Sequence, residues 1–251
     1  MVMWEGRVLS HVLNHCRDRI VLGTAAGKVV VPFARAARNL EYDRTGYRVA
    51  SKGKIRLKNG HFSHLEGQSA ILLEPPLRYR YSVWLGGDKP SLESYLAWRI
   101  EFHNPERSLE EDMSIARSFV AACRAEKLDP LFLAALIQIE SAWDVDAVSV
   151  SGAQGLGQLM PRTAQGLGVS DPLDPRQNLA GASKMVAGLL RTWAASPNPR
   201  AAVLASYNAG PTRVKAAGGR VPYIAETTNY VYFIGYVYRD ACRMAKAGGV
   251  I

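Results

Sequence analysis

The chain has 251 residues, and its 48% hydrophobic and 21% charged content is typical of a globular protein of about two domains and excludes a disordered chain. Three widely separated cysteines exclude a disulfide framework and a CxxC zinc site, so we expect free thiols. The net charge of +9 falls mainly on residues 1–100, which hold 16 basic against 8 acidic residues, whereas residues 101–251 hold 15 against 14.

Residues 1–90 are predicted to form a small, basic, β-rich domain. Runs of β-branched residues interrupted by glycine lie between Arg19 and Phe33, and Asn59-Gly60 separates two alternating segments, which is the pattern of a tight hairpin. The first twenty residues lack the apolar core and cleavage site of a secretory signal, and no run approaches the ~18 apolar residues of a membrane span. We expect this domain to serve docking or targeting.

Residues 91–107 are predicted to be a linker with a short helix, after which the pattern becomes helical. A capping box that starts at Ser108 begins one helix, and Asp129-Pro130 supplies an N-cap and a first-turn proline for the next. Four further helical segments follow a Gly-rich loop, and the last is long and aromatic. We therefore expect residues 108–251 to form a mainly α catalytic domain, which makes the whole chain α+β.

A single glutamate, Glu140, ends the apolar helix that follows Asp129-Pro130. Its neighbours on the same helix face, at i−3, i−4 and i−7, are Ile137, Leu136 and Leu133. Burial among hydrocarbon and the negative end of the helix dipole both raise the pKa of a carboxyl group, and an acid that stays protonated near neutral pH can donate a proton in catalysis. The alternative is a structural glutamate that turns to water or pairs with an arginine, and this helix alone does not decide between the two.

Four separated motifs, the first of which contains Glu140, together indicate what this residue does. They are Glu140-Ser141, the loop "GAQGLGQLMP" at 152–161, "SYNAG" at 206–210 and "ETTNYV" at 226–231. In order and approximate spacing they resemble the soluble-type lytic transglycosylase (SLT) domain, a lysozyme-like fold that acts on peptidoglycan. The resemblance covers roughly residues 110–240, and nothing comparable is found in residues 1–100.

Two positions depart from the family pattern. Gly157 stands where the family commonly has methionine, and Val145 replaces a proline that is often found there. Neither change removes a chemical group, so the resemblance still implies an active enzyme, although Gly157 is expected to alter the packing of substrate at the cleft wall.

The resemblance implies a peptidoglycan lytic transglycosylase that cleaves the β-1,4 bond between N-acetylmuramic acid and N-acetylglucosamine. Glu140 would protonate the glycosidic oxygen and then, as a carboxylate, deprotonate the C6 hydroxyl of the muramoyl unit, which gives a 1,6-anhydromuramic product without a metal or cofactor. The implied substrate-binding residues are Ser141, Ser149, Gly155, Gln158, Met160, Tyr207, Asn208 and Tyr230. Some have simpler interpretations: the serines as backbone hydrogen-bonding partners and Met160 as a core residue.

Asp144 and Asp146 leave a second interpretation open. Ordinary glycosidases use two carboxylates, so either aspartate could support a hydrolytic muramidase or a chitinase-like glycosidase on the same fold. Aspartates after a helix more often bond nearby backbone, which favours the one-carboxylate chemistry. A third interpretation is an inactive glycan-binding structural component of a phage particle or a secretion machine.

The expected partner is a peptidoglycan glycan strand in the periplasm or cell wall. Because no signal peptide is visible, we expect delivery by a virion, such as a phage tail, or by an envelope-spanning secretion or conjugation apparatus that binds through residues 1–90. No nucleic-acid motif accompanies the scattered basic residues, so no specific nucleic-acid partner is expected. The five histidines all precede residue 108 and lack companions at ligand spacing, so no metal site is expected either.

Overall fold

The computed structural model describes residues 2–12, 18–24, 27–33, 48–58, 61–74, 91–104 and 107–251. The chain divides into two compact units, Met1–Leu85 and Gly86–Ile251. Within the described ranges, no helix combines the length and apolar character that a membrane crossing requires.

The first unit contains five strands that pair antiparallel in the order β3-β2-β1-β4-β5. The strands are β1 (Val2–Val12), β2 (Asp18–Thr24), β3 (Gly27–Phe33), β4 (Arg48–Lys58) and β5 (His61–Glu74). Lys58 of β4 lies opposite His61 of β5, which is the register of a two-residue hairpin. The predicted turn residues, Asn59 and Gly60, lie outside the described residues, as do residues 75–90 of the predicted domain.

The second unit is mainly helical, as the sequence predicts for this part. Its helices are α1 (Leu92–His103), α2 (Leu109–Ala125), α3 (Pro130–Ser141), α4 (Pro161–Gly166), α5 (Pro175–Thr192), α6 (Pro199–Ala209), α7 (Pro211–Ala216) and α8 (Ala225–Ala247). Two of the predicted helix starts are present as expected: Ser108 and Glu111 form the complete capping box of α2, and the Asp129 carboxylate accepts from the first-turn amides of α3.

Within residues 91–107, where the sequence analysis predicts a linker with a short helix, the structure has the helix α1, and this helix is buried. The α1 side chains Leu96 and Ile100 are inaccessible to solvent, and Trp98 is 3% exposed. α1 packs against α2. The helix lacks a clean amphipathic pattern because nearly all of its residues from Tyr95 onward are covered, and this is why its sequence did not indicate which face packs.

Helix α3 lies at the centre of the helical unit. Leu133, Leu136 and Ile137 are fully buried, and α3 packs against both α2 and α8. At its beginning, the Asp129 carboxylate also accepts a hydrogen bond of 2.6 Å from the Tyr238 hydroxyl of α8. This packing carries Glu140, at the other end of α3, toward the first half of α8.

Candidate active site

Glu140 lies on the last turn of α3 and is only partly exposed. The hydroxyl of Tyr230, from α8, donates a hydrogen bond to its Oε1. Burial raises the pKa of Glu140 to about 7, and the Tyr230 hydrogen bond opposes part of this rise. Near neutral pH a substantial fraction of the carboxyl group therefore carries a proton, in agreement with the direction that the sequence analysis expects.

Two tyrosines surround this carboxyl group. Burial raises the pKa of both Tyr207 and Tyr230 well above the ordinary phenol value, and the negative charge of Glu140 raises both further. Both phenols thus stay protonated and act as hydrogen-bond donors. The Tyr207 hydroxyl donates to the carbonyl oxygen of Gly157 at 2.7 Å, so this tyrosine joins the loop 152–159 to the neighbourhood of the acid.

Asn208 is held by the first turn of α8. Its Nδ2 donates to Glu226 Oε1 at 3.2 Å, and its Oδ1 accepts from the Thr227 hydroxyl at 2.7 Å. These bonds fix the orientation of the amide and tie the end of α6 to the start of the helix that carries Tyr230. Glu226 therefore has a structural role, since its carboxylate orients the Asn208 amide.

The two candidate serines bond to nearby backbone. Ser141 Oγ donates to the Ile137 carbonyl at 3.3 Å, one helical turn back, and Ser149 Oγ accepts from the Ala153 amide at 2.9 Å. Both match the simpler of their two interpretations. Met160 precedes α4 and is 43% exposed, so it is not a core residue.

Gln158 and Gly155 stabilise the loop itself. Gln158 has a φ of 47°, and its Nε2 donates to the carbonyls of Ala147 and Gly155 at 3.0 and 2.9 Å. The amide N–H groups that we expected to meet a sugar are thus used within the protein. Gly155, with φ of 69°, allows a close approach, but to Pro172 and Asn178, because a Cβ there would overlap the Pro172 carbonyl oxygen.

Asn178, on α5, is the main residue of this region that the sequence analysis missed. It is fully buried, and its Oδ1 accepts from the Gly157 amide at 2.7 Å. Its Nδ2 donates to the carbonyls of Gln154 and Pro172 at 2.9 and 2.7 Å. All these bonds go to backbone, so one side chain sets the shape of the loop. The available signal was a polar residue inside the apolar stripe of a predicted helix.

Gly157 is closely packed on both sides. A Cβ at this position would lie 2.8 Å from the Ala182 Cβ and 3.1 Å from the Tyr207 hydroxyl. Its amide and carbonyl groups are both hydrogen bonded, to Asn178 and Tyr207. The departure from the family pattern at this position therefore has a local steric reason.

The nearby aspartates have roles in the loop that follows α3. Asp144 Oδ1 accepts from the Asp146 amide at 3.0 Å and lies 3.9 Å from an Arg107 guanidinium nitrogen. Asp146 is exposed. This is the backbone-bonding arrangement that the sequence analysis favours for Asp144 over a role as a second catalytic carboxylate.

Comparison with known proteins identifies the helical unit. Residues 117–228 match the family model described as the transglycosylase SLT domain. Over these residues the chain is therefore similar to an SLT domain. The matched range includes Glu140, the loop 152–159 and the Tyr207-Asn208 pair, and it ends two residues before Tyr230.

Relatives and solved structures similar to the SLT domain come from several bacteria. Membrane-bound lytic murein transglycosylase F from Pseudomonas fluorescens is 38% identical over 105 residues, which cover 38% of this chain and 20% of that protein. Membrane-bound lytic murein transglycosylase F 2 from Alkalilimnicola ehrlichii is 42% identical over 171 residues, or 64% of this chain and 34% of that protein. The chain thus spans a fifth to a third of the length of these relatives.

Among solved structures, the 70 kDa soluble lytic transglycosylase from Escherichia coli aligns with a TM-score of 0.48 and 24% identity, covering 66% of this chain and 32% of that one. An inactive mutant of lytic transglycosylase Slt from Pseudomonas aeruginosa aligns with a TM-score of 0.47 and 20% identity, covering 68% of this chain and 32% of that one.

Proposed function

We propose that this protein is a peptidoglycan lytic transglycosylase in which Glu140 acts first as an acid and then as a base. The observation that carries the proposal is one partly buried carboxyl group, with a pKa of about 7 and a tyrosine hydrogen bond, inside a chain segment that matches the SLT domain. The names of the relatives, lytic murein transglycosylases, indicate the same substrate.

The chemistry needs only this carboxyl group. Protonated Glu140 gives its proton to the glycosidic oxygen between N-acetylmuramic acid and N-acetylglucosamine as the C1–O bond breaks. The C6 hydroxyl oxygen of the same muramoyl unit then bonds to C1, and its proton passes to the Glu140 carboxylate, which restores the acid. Because an internal hydroxyl replaces water, the reaction has no need of a second base on the far face of the sugar.

The tyrosines support both protonation states of Glu140. Tyr230 donates to the carboxyl group, which limits the rise in pKa and stabilises the carboxylate that remains after the proton is given up, whereas burial keeps the pKa high enough for the proton to return. Tyr207 and Asn178 hold the Gly157 peptide, so the loop keeps one shape while the sugar moves toward the transition state. Ser141, Ser149, Gly155, Gln158, Met160 and Asn208 remain proposed members of the substrate site.

Digestion of purified sacculi in water enriched in oxygen-18 tests the reaction. We expect muropeptides with 1,6-anhydro ends that carry no heavy oxygen, because no water is added to the cleaved bond. A hydrolytic muramidase would instead place heavy oxygen at each new reducing end, and that result would overturn the proposal in favour of the second interpretation. Release of no soluble product by the wild type would favour the inactive glycan-binding interpretation. A Glu140→Gln variant is the control, and we expect it to release none.

Residues 1–90 are proposed to be a separate docking or targeting domain. The catalytic domain, which the sequence analysis places at residues 108–251 after a linker at 91–107, is proposed to include α1 as well, because α1 packs against α2. Support comes from the five paired strands and from the concentration of basic residues in this part of the chain. Its proposed partner is a protein assembly, a phage tail or a secretion or conjugation apparatus, that brings the enzyme to the wall. The proposal predicts that a chain starting at Gly86 digests purified sacculi as fast as the full chain, since isolated sacculi contain no such assembly. A marked loss of rate on sacculi would argue for direct glycan binding by residues 1–90 instead.

A further inference from the structure

The backbone just after Glu140 adopts a conformation that side chains disfavour. Ala142 and Trp143 are consecutive non-glycine residues with φ of 51° and 64°. Left-handed conformations at such residues persist only where the surrounding structure holds them. Packing supplies part of the stabilisation of this conformation, since Trp143 is fully buried with its ring 5.4 Å from that of Phe119.

Two side chains that lie between α1 and α2 also stabilise this left-handed conformation. Asn104 Nδ2 donates to the carbonyl oxygen of Ala142 at 3.0 Å, and Arg107 Nη1 donates to the carbonyl oxygen of Trp143 at 3.0 Å. Asn104 is 8% exposed, and the side chain of Arg107 is 18% exposed, so neither bond competes freely with water. Both carbonyls of the left-handed pair are therefore fixed by side chains from one short segment.

Helix α1 contacts α3 on the other side of Glu140. Arg99 of α1 is a buried cation, 3% exposed, whose Nη2 donates to the side-chain oxygen of Gln138. Gln138 and Ala142 lie two residues before and two residues after Glu140. The side chains of Arg99, Asn104 and Arg107 thus hold the last turn of α3 at both of its limits.

We propose that Asn104 and Arg107 are positioning residues that fix the direction of the Glu140 side chain. The inference rests on the proposed function and deepens it. The two residues act through the backbone: by fixing the carbonyls of Ala142 and Trp143 they set where α3 ends and how its last turn faces Tyr230. A shift of about 1 Å at a reacting group can reduce a rate by roughly a hundredfold, so this hold matters for chemistry as well as for folding.

Neither residue belongs to the matched family range, which begins at residue 117. The part of this chain that is similar to an SLT domain therefore receives part of the support for its acid from a segment that precedes it. The unit that works as a catalyst begins at α1.

The test compares Asn104→Ala and Arg107→Ala with wild type in the full chain, using solubilised glycan strands as substrate. We expect kcat per folded molecule to fall roughly tenfold to a hundredfold with KM changed less than about threefold, since the acid moves while the sugar site remains. We also expect the pH at which kcat falls by half to move below the wild-type value, because a loosened helix end admits water and returns the pKa of Glu140 toward the ordinary carboxyl range.

A matched control separates positioning from stability. Phe102→Leu removes buried packing from α1 without removing a hydrogen bond to α3, so it should lower the melting temperature and leave kcat per folded molecule and the pH profile unchanged. Arg107→Gln keeps a donor for the Trp143 carbonyl and should retain more activity than Arg107→Ala. If Asn104→Ala does not fold, the comparison of Arg107→Gln with Arg107→Ala still tests the proposal.

The outcomes are distinct for the two proposals. Unchanged kcat and an unchanged pH midpoint in folded Asn104→Ala and Arg107→Ala would overturn the positioning role. Wild-type protein that forms no anhydro product would overturn the proposed function, and hydrogen exchange then decides the positioning proposal by itself. Faster exchange of the amides at 142–147 in Asn104→Ala than in Phe102→Leu supports it, and equal exchange overturns it.

Discussion

Glu140, the proposed catalytic acid, shows at the scale of one residue how a buried carboxyl group lowers the stability of a protein at alkaline pH. Its pKa of about 7 lies above the ordinary value of 4.5, so the folded state binds its proton more tightly than the unfolded state does. Stability contributed by this proton is complete below pH ~4.5 and is lost as the pH rises through about 7. Above that pH the protein holds an unfavourably buried charge.

The Glu140→Gln variant should therefore be inactive and, at alkaline pH, more stable than wild type. We expect its melting temperature to exceed that of wild type by several degrees at pH 8, with a much smaller gain at pH 5, because glutamine carries no charge to bury. Thermal unfolding of both proteins at the two pH values measures this. An equal gain at both would mean that the carboxylate charge is not what destabilises the site.

Gly157 supports a second prediction at this scale. A methyl group in Gly157→Ala would meet the Ala182 Cβ and crowd the Tyr207 hydroxyl, so we expect activity to fall at least tenfold as the loop shifts. Adding Ala182→Gly removes the closest contact and should restore most of that loss, even though a glycine inside α5 costs about 0.5–1 kcal/mol.

Gly166→Ala provides the comparison for that series. Gly166 lies at the end of α4, where an added Cβ meets nothing within 4 Å, and its backbone does not require glycine. We expect wild-type activity from it. The activities of these three variants and of wild type would contradict the steric account if the single Gly157→Ala variant matched wild type.

At the scale of elements, the sequence predicted helices best where they begin. The capping box of Ser108 and Glu111 and the N-cap and proline of Asp129-Pro130 each lie within a few adjacent residues. Such helix starts can therefore be predicted without information on tertiary contacts. α1 was less visible because it is covered nearly all round and shows little periodicity. α7 was not predicted, and its length of six residues does not explain this, since the predicted α4 is equally short.

The loop 152–159 is an element stabilised by its own hydrogen bonds and by Asn178. In Asn178→Asp, one oxygen can still accept from Gly157, but the other faces the carbonyls of Gln154 and Pro172 without a proton to donate. We expect this variant to lose activity at neutral pH and to recover part of it as the pH falls and the buried carboxyl group takes up a proton.

The ratio of its activity to that of wild type, measured from pH 8 to pH 5, isolates this effect from the titration of Glu140. The ratio for Asn178→Ala should stay constant, because alanine has no group to protonate. Flat ratios for both variants would show that the loop does not depend on donation from this side chain.

At the scale of the whole molecule, the folded helical unit, Gly86–Ile251, begins earlier than the family match, which starts at residue 117. α1 buries Tyr95, Leu96, Trp98, Ile100 and Phe102, and each large apolar side chain removed from its packing costs about 1.5–3 kcal/mol. We expect a chain that starts at Gly86 to unfold cooperatively near the temperature of the helical unit in the full chain. A chain that starts at Ser108 should be unfolded or aggregated, because its loss is comparable with the whole stability of a typical domain.

Circular dichroism melts of the two truncated chains make this comparison. Equal melting temperatures would place α1 outside the cooperative unit and would weaken the case for its supporting role.

The sequence predicts those features of the candidate site that depend on local neighbours and does not predict those that depend on contacts between distant residues. The raised pKa of Glu140 follows from neighbours on its own helix, so local sequence predicts its direction. The contacts of Asn104, Arg107 and Asn178 join residues that are 21 to 38 positions apart or that meet across helices, and no local pattern encodes them. The bonds of Gln158 within the loop are more local, to Gly155 and Ala147, but the sequence analysis did not predict them.

The 2.8 Å separation between a notional Cβ at Gly157 and the Cβ of Ala182 has an evolutionary consequence. The two positions share a single methyl-sized space, so natural relatives are expected to fill it from one side or the other. Lineages with a bulky residue at the first position should carry glycine at the second, and the pair should covary across an alignment even though the two residues belong to different motifs.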